Sequence, residues 1–287
     1  MEVFLTYVVL SLAIASLWMG ERVNKYKSVS IFLFLVAFAS GVFFKKVEYY
    51  TFIFVIIMLF ISWKYSANLK FKLLAGIVFL VVSALCMFHL VPGFHNLNIV
   101  NQFQLENDSI PYTLYLNFDK ALVGFTFLFF FKDLIKSRAD FLPTIKPTLL
   151  IAAGTIGSVL VLSYLMGFIH ISVKTPWFIG YFLIANLFFT CIPEEIIFRK
   201  LIQSSLKENL ANVKNGHILS VGISSLLFGL MHFPGGVKYM LLATVAGLGY
   251  GWAFEKTGRI ESSVAIHYGL NVIHILFFTY PALSGAI

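Results

Sequence analysis

Charge is what this chain lacks. Asp, Glu, Lys and Arg supply 12% of its 287 residues, about half the density of a soluble globular domain. That shortage, with 59% hydrophobic residues and a mean hydropathy of +0.88, excludes an ordinary water-soluble fold. Cysteine is nearly absent as well. Cys86 and Cys191 both lie in apolar runs and form no CxxC or Cys/His spacing, which excludes a disulfide framework and a zinc module. Strict polar/apolar alternation is missing, which excludes a membrane β-barrel. No basic run carries interleaved aromatics, so the net charge of +8 does not imply nucleic-acid binding. The first twenty residues, MEVFLTYVVLSLAIASLWMG, have no basic segment ahead of their apolar run. They read as a first span and not as a cleaved signal peptide.

What is present is a series of apolar runs. They cover residues 3–19, 28–44, 49–63, 72–92, 115–131, 148–168, 177–198, 217–234, 238–254 and 261–280. Runs of this length predict an all-α, polytopic membrane helical bundle of about eight to ten transmembrane helices. The fifth run is the weakest, because it contains Asp119 and Lys120. With the N-terminus outside, only Lys45, Lys46, Lys120, Lys174 and Lys238 of the 21 Lys and Arg fall on the outer side, a strong positive-inside bias. The polar stretch 94–118 has no Lys or Arg and fits an external loop. No internal repeat is visible. Residues 1–145 hold few polar groups within their spans and read as an N-terminal transmembrane region of unassigned role. Residues 146–287 hold nearly all of them and read as the transmembrane domain in which a functional site would lie.

An ionisable side chain inside a span costs roughly 2.5–3.5 kcal/mol on insertion scales, so each one asks for a reason. Three clusters stand out. In Glu194-Glu195-Ile-Ile-Phe-Arg199, Glu195 and Arg199 have the i, i+4 spacing of a helical ion pair. Glu194 points about 100° away, where low dielectric suits a general acid or base. Pro193 lacks an N–H and leaves the Phe189 carbonyl without its helical donor. The plain alternative is that these residues end the span at the cytoplasmic interface. In Phe228-Gly-Leu-Met-His232, Gly229 allows close helix approach, and His232 is either a packing residue or a catalyst. In His267-Tyr-Gly-Leu-Asn271, followed by His274, the i, i+4, i+7 spacing places all three on one face. That face offers hydrogen-bond donors to an oxyanion, or else forms an interhelical polar zipper. The chain has no HExxH helix, no GxSxG elbow and no cysteine beside these groups. Water activated by Glu and His remains, with metal-assisted hydrolysis as its nearest variant.

The three motifs, EEIIFR at 194–199, FGLMH at 228–232 and HYGLN at 267–271, resemble the CPBP (Abi) family of membrane proteases, which includes the Rce1-type CAAX prenyl endopeptidases. The family pattern is EExxxR, FxxxH and HxxxN, in that order. The resemblance covers roughly residues 177–280. It implies an intramembrane endopeptidase acting on a membrane-associated peptide or protein. Glu194 would be the general base and His232 would hold and polarise the attacking water. His267 and Asn271 would stabilise the oxyanion, and Glu195 and Arg199 would support the site. His274 falls outside the pattern and is left as a bystander. The resemblance implies no cofactor, the alternative being a divalent metal such as zinc at Glu194 and His232. It places the protein in the lipid bilayer of a prokaryotic inner membrane. A non-catalytic membrane binding or immunity protein is the competing class. A transporter using Glu194 as a proton relay would be expected to show paired halves.

One geometric tension follows from the helix rise. His267 lies ~12 Å from the inner face and His232 ~22 Å. The sequence therefore predicts an irregular backbone at Pro193 or around Pro234-Gly235-Gly236.

Overall fold

The computed structural model describes residues 2–19, 26–67, 72–131 and 133–286. It is a mostly helical chain with one small sheet. Each of the ten apolar runs becomes a helix. These are α1 (Glu2–Ala15, extended by a 3-10 turn, Ser16–Trp18), α2 (Tyr26–Phe43), α3 (Thr51–Ser66), α4 (Lys72–Met87), α5 (Phe118–Phe130), α6 (Arg138–Leu165), α7 (Ile179–Asn209), α8 (Gly216–Met231), α9 (Gly236–Thr257) and α10 (Ile260–Phe277). Among the described residues α2, α6, α7 and α10 are long and apolar enough to cross a membrane, while α1, α3, α4 and α8 are shorter apolar helices. With these helices the chain is an integral membrane protein. Of the inner-loop charges, Arg22, Lys25, Lys70 and Lys132 lie outside the described residues.

The chain packs as two compact units. The first comprises 1–98, 115–137 and 187–197; the second comprises 99–114, 138–186 and 198–287. In the first unit α5 is the centre. Its residues Phe118, Asp119 and Ala121 to Leu128 are all buried. A 13-residue helix is too short for a comfortable span, and this one is a core element instead. Phe34 of α2 stacks on Phe125 at 4.4 Å, and the Phe118 ring meets Tyr7, Phe34, Phe38 and Phe94. Asp119 enters this core with partners. Its carboxylate accepts from the His89 ring at 2.7 Å, the Asn96 amide at 3.1 Å and the Lys120 N–H at 2.9 Å. The outward residues of α3, such as Ile53, Ile56 and Phe60, are large and apolar, as a lipid-facing surface requires.

The second unit is built on α6, α8, α9 and α10. Glycine sets the spacing where α8 meets α9. A Cβ on Gly229 would lie 1.9 Å from Thr244 Oγ1 and 2.8 Å from the Met240 carbonyl. The Gly247–Gly251 pair acts in the same way. A Cβ at Gly247 would lie 3.3 Å from Ser225, and one at Gly251 2.9 Å from Gln203 Oε1. Helix α9 ends on Gly258 in the left-handed conformation (φ 66°), whose N–H reaches the Phe254 carbonyl at 2.8 Å. The turn is short, so α10 begins two residues later and folds back against α9. Across the bundle, Ser263 donates to the Tyr250 carbonyl at 2.8 Å. At the same end Arg259 pairs with Asp140 at 2.9 Å.

By sequence alone the polar stretch 94–118 is an external loop. It contains a two-stranded sheet, β1 (Leu97–Phe103) with β2 (Tyr112–Leu116). The irregular backbone expected at Pro193 is present on both sides of it, as π-helical segments at Leu187–Cys191 and Ile196–Gln203. The Ser204 hydroxyl donates back to the Arg199 carbonyl at 3.0 Å. The second expected irregularity, at Phe233–Gly235, is a 3-10 turn followed by Gly236 at φ 90°.

Candidate active site

Three of the singled-out residues belong to one cavity. His232, His267 and Asn271 line a pocket of about 70 Å³ in the second unit, together with Tyr239, Tyr250 and His274. Its remaining wall is largely apolar, with Val159, Leu160, Phe168, Leu242 and Leu270. That volume admits several waters. Glu194 and Glu195 belong to the first unit, Glu194 half-buried and Glu195 buried. Arg199 belongs to the second and is fully buried.

Each cavity residue is aimed by its own surroundings. His232 sits just past the last turn of α8, and its N–H reaches the Gly229 carbonyl at 2.8 Å. Its ring Nδ1 lies 2.7 Å from the Phe228 carbonyl. A carbonyl only accepts, so Nδ1 carries the proton and Nε2 is left as the acceptor of the neutral ring. His267 stacks flat on the buried Tyr250 ring, centroids 4.7 Å apart and planes at 13°. Asn271 donates through Nδ2 to Asn186 Oδ1 at 3.3 Å. His274 lies 3.1 Å through Nε2 from the Thr279 carbonyl, which leaves Nδ1 as its acceptor. The Tyr280 ring packs against it at 5.0 Å.

Phe228 is the hub of this arrangement. Its ring meets His232 at 4.7 Å, stands edge-on to His267 at 5.7 Å and to Tyr250 at 5.9 Å, and lies under the Arg199 guanidinium at 5.6 Å. Arg199 Nη1 also donates to Ser224 Oγ at 3.2 Å, and Ser224 donates to the Phe198 carbonyl at 2.6 Å. A buried guanidinium thus shares one aromatic face with the rings that line the cavity. The sequence reading left out Tyr250, Asn186 and Phe228 as positioning groups and set His274 aside. The i+7 spacing of His274 from His267 was the available signal for it. Tyr250 and Asn186 meet α10 from other helices, which no local spacing reveals.

Comparison with known families agrees with the motifs. Residues 175–273 match the family model described as type II CAAX prenyl endopeptidase Rce1-like. This segment of the chain is Rce1-like. The match spans about a third of the chain and contains all three motifs, while His274 falls one position past its end. No curated protein and no solved structure matches the chain. The Rce1-like match supports a CAAX-type intramembrane protease in general terms. Among the described residues no group of three or more His, Cys, Asp or Glu side chains is placed to hold a metal ion.

Proposed function

We propose that the protein is an intramembrane endopeptidase that hydrolyses a peptide bond of a membrane-associated peptide or protein by means of an activated water. The observation that carries this reading is the convergence of His232, His267 and Asn271, all three within the Rce1-like segment, on one small, mostly apolar cavity. In this reading Glu194 takes a proton from the water. His232, held with Nε2 as acceptor, keeps that water in place. The tetrahedral intermediate places negative charge on the former carbonyl oxygen, and His267 and Asn271 donate to it. A donor of this kind lowers the barrier by about 3–4 kcal/mol. The stacked Tyr250 ring keeps His267 from turning away as charge develops. Glu195 and Arg199 form the supporting pair. The peptide, held in a site with few waters, pays no competing solvent reorganisation. The protein is placed in a prokaryotic inner membrane, with no nucleic-acid partner and no cofactor.

The test is a peptide-cleavage assay in proteoliposomes with Glu194→Gln, His232→Ala and Asn271→Ala. The expected result is a loss of two orders of magnitude or more for each, with unchanged thermal melting, and activity that survives exhaustive chelation. Full activity in Glu194→Gln refutes the glutamate mechanism, whereas no cleavage by the wild-type protein leaves the binding or immunity reading. Loss on chelation with recovery on added zinc replaces the water-only mechanism by the metal-assisted one.

A further inference from the structure

Deepening that reading, and resting on it, we infer that His274 is a further residue of the site, one that accepts a hydrogen bond from a backbone N–H of the bound peptide. Three observations carry the inference. His274 lines the same cavity as His232, His267 and Asn271, on the face of α10 that carries His267 and Asn271. Its tautomer is fixed: Nε2–H is committed to the Thr279 carbonyl at 3.1 Å, so Nδ1 holds the lone pair. Its ring is braced by Tyr280 at 5.0 Å. Thr279 is tied down in turn, its N–H donating to the His170 carbonyl at 2.9 Å and its hydroxyl accepting from the His170 N–H at 3.3 Å. A residue serving only as apolar filling does not need a fixed ring orientation.

The chemistry of the substrate supplies the rest. A peptide leaving water for a largely apolar cavity must find acceptors for its N–H groups, because each one left unpaired is costly. The walls formed by Leu160, Phe168, Leu242 and Leu270 offer none. His232 Nε2 is reserved for the water. His274 Nδ1 is then the imidazole acceptor left for an amide N–H beside the scissile bond. His274 is thus a substrate-contacting group whose bond forms on binding and persists through the reaction, so its loss raises KM more than it lowers kcat.

The experiment uses full-length protein in proteoliposomes and a library of fluorogenic peptides with apolar flanks. The member cleaved by wild type and spared by Glu194→Gln is taken forward. His274→Phe keeps a ring against Tyr280 but has no acceptor, and His274→Asn restores an oxygen near the Nδ1 position. The expected result is a rise in KM of about tenfold to a hundredfold in the Phe variant, with partial recovery in the Asn variant. Ester linkages then replace the amides next to the scissile bond one at a time, deleting single N–H donors. At one position the ester costs wild type the same factor and costs His274→Phe nothing further. Equal ester penalties in both proteins at every position, or wild-type kinetics in His274→Phe, overturn the assignment. His274→Leu repeats the comparison with a smaller side chain. A library in which nothing is cleaved refutes the hydrolase reading itself, and cleavage that persists in Glu194→Gln refutes the glutamate mechanism; either result takes this inference with it.

Discussion

Gly229→Ala isolates the contact that sets the α8–α9 spacing. The added methyl would lie 1.9 Å from Thr244 Oγ1 and 2.8 Å from the Met240 carbonyl oxygen, well inside a normal contact of ~3.5 Å. The hydroxyl can rotate away, but it then gives up its 2.9 Å bond to that same carbonyl, a loss of about 1 kcal/mol. The carbonyl belongs to the α9 backbone and moves only with the helix. Overpacking of this kind costs about 1–3 kcal/mol, so the sum is about 2–4 kcal/mol. The melting temperature, read from the helical circular dichroism in detergent, is expected to fall by roughly 5–10 °C. Adding Thr244→Ala removes the nearer clash and leaves the farther one, so the double variant recovers part of the loss. Melting of Gly229→Ala within a degree of wild type, or a double variant worse than the single one, refutes the close-contact reasoning. Peptide cleavage is expected to fall as well, since Phe228 and His232 flank the inserted methyl.

Asp119→Ala removes the acceptor shared by His89, Asn96 and Lys120 and is expected to destabilise the first unit by about 2–4 kcal/mol; faster thiol labelling of the buried Cys86 would report it, and unchanged labelling counts against the shared-acceptor role. Arg199→Lys keeps the charge but loses the planar fork, so it melts below wild type by about 1–2 kcal/mol, and Arg199→Ala by more; a Lys variant as stable as wild type contradicts the importance of the Phe228 and Ser224 contacts. Tyr112 has its hydroxyl pushed up to about 12 by burial, with a hydrogen bond from Tyr280 acting in the opposite sense. The unfolded chain therefore ionises first. The Tyr112 contribution to stability is fully present below about pH 10 and is lost as pH rises toward 12. A denaturation series across that range is expected to show a shallower decline for Tyr112→Phe, and identical slopes would remove the effect.

The helical architecture was legible because length and continuous hydropathy suffice to mark a membrane helix. The close approach at Gly229 was legible for a related reason, since small residues in a membrane helix have few other uses. α5 was harder to place. Its Asp119 weakened the apolar signal, yet the partners that make the charge tolerable, His89 and Asn96, lie 30 and 23 residues earlier. The β1–β2 hairpin was hidden in a polar stretch whose alternation is short. In the site, the face shared by His267 and Asn271 follows from the helical period alone. The stack of Tyr250 on His267 and the Asn186–Asn271 bond join different helices, and only tertiary packing brings them together. His274 had the right period but no motif to belong to.

The two anchored imidazoles have a consequence for how the site withstands sequence drift. His232 and His274 are both oriented by main-chain carbonyls, those of Phe228 and Thr279. Every amino acid carries such an oxygen, so no single replacement at position 228 or 279 deletes the bond chemically. Substitution there can alter volume and ring contacts while the protonation pattern of the histidines is inherited intact. What the arrangement does not tolerate is displacement of the chain itself, at the end of α8 or in the turn after α10. Those two short backbone stretches are where insertions and deletions should be selected against most strongly.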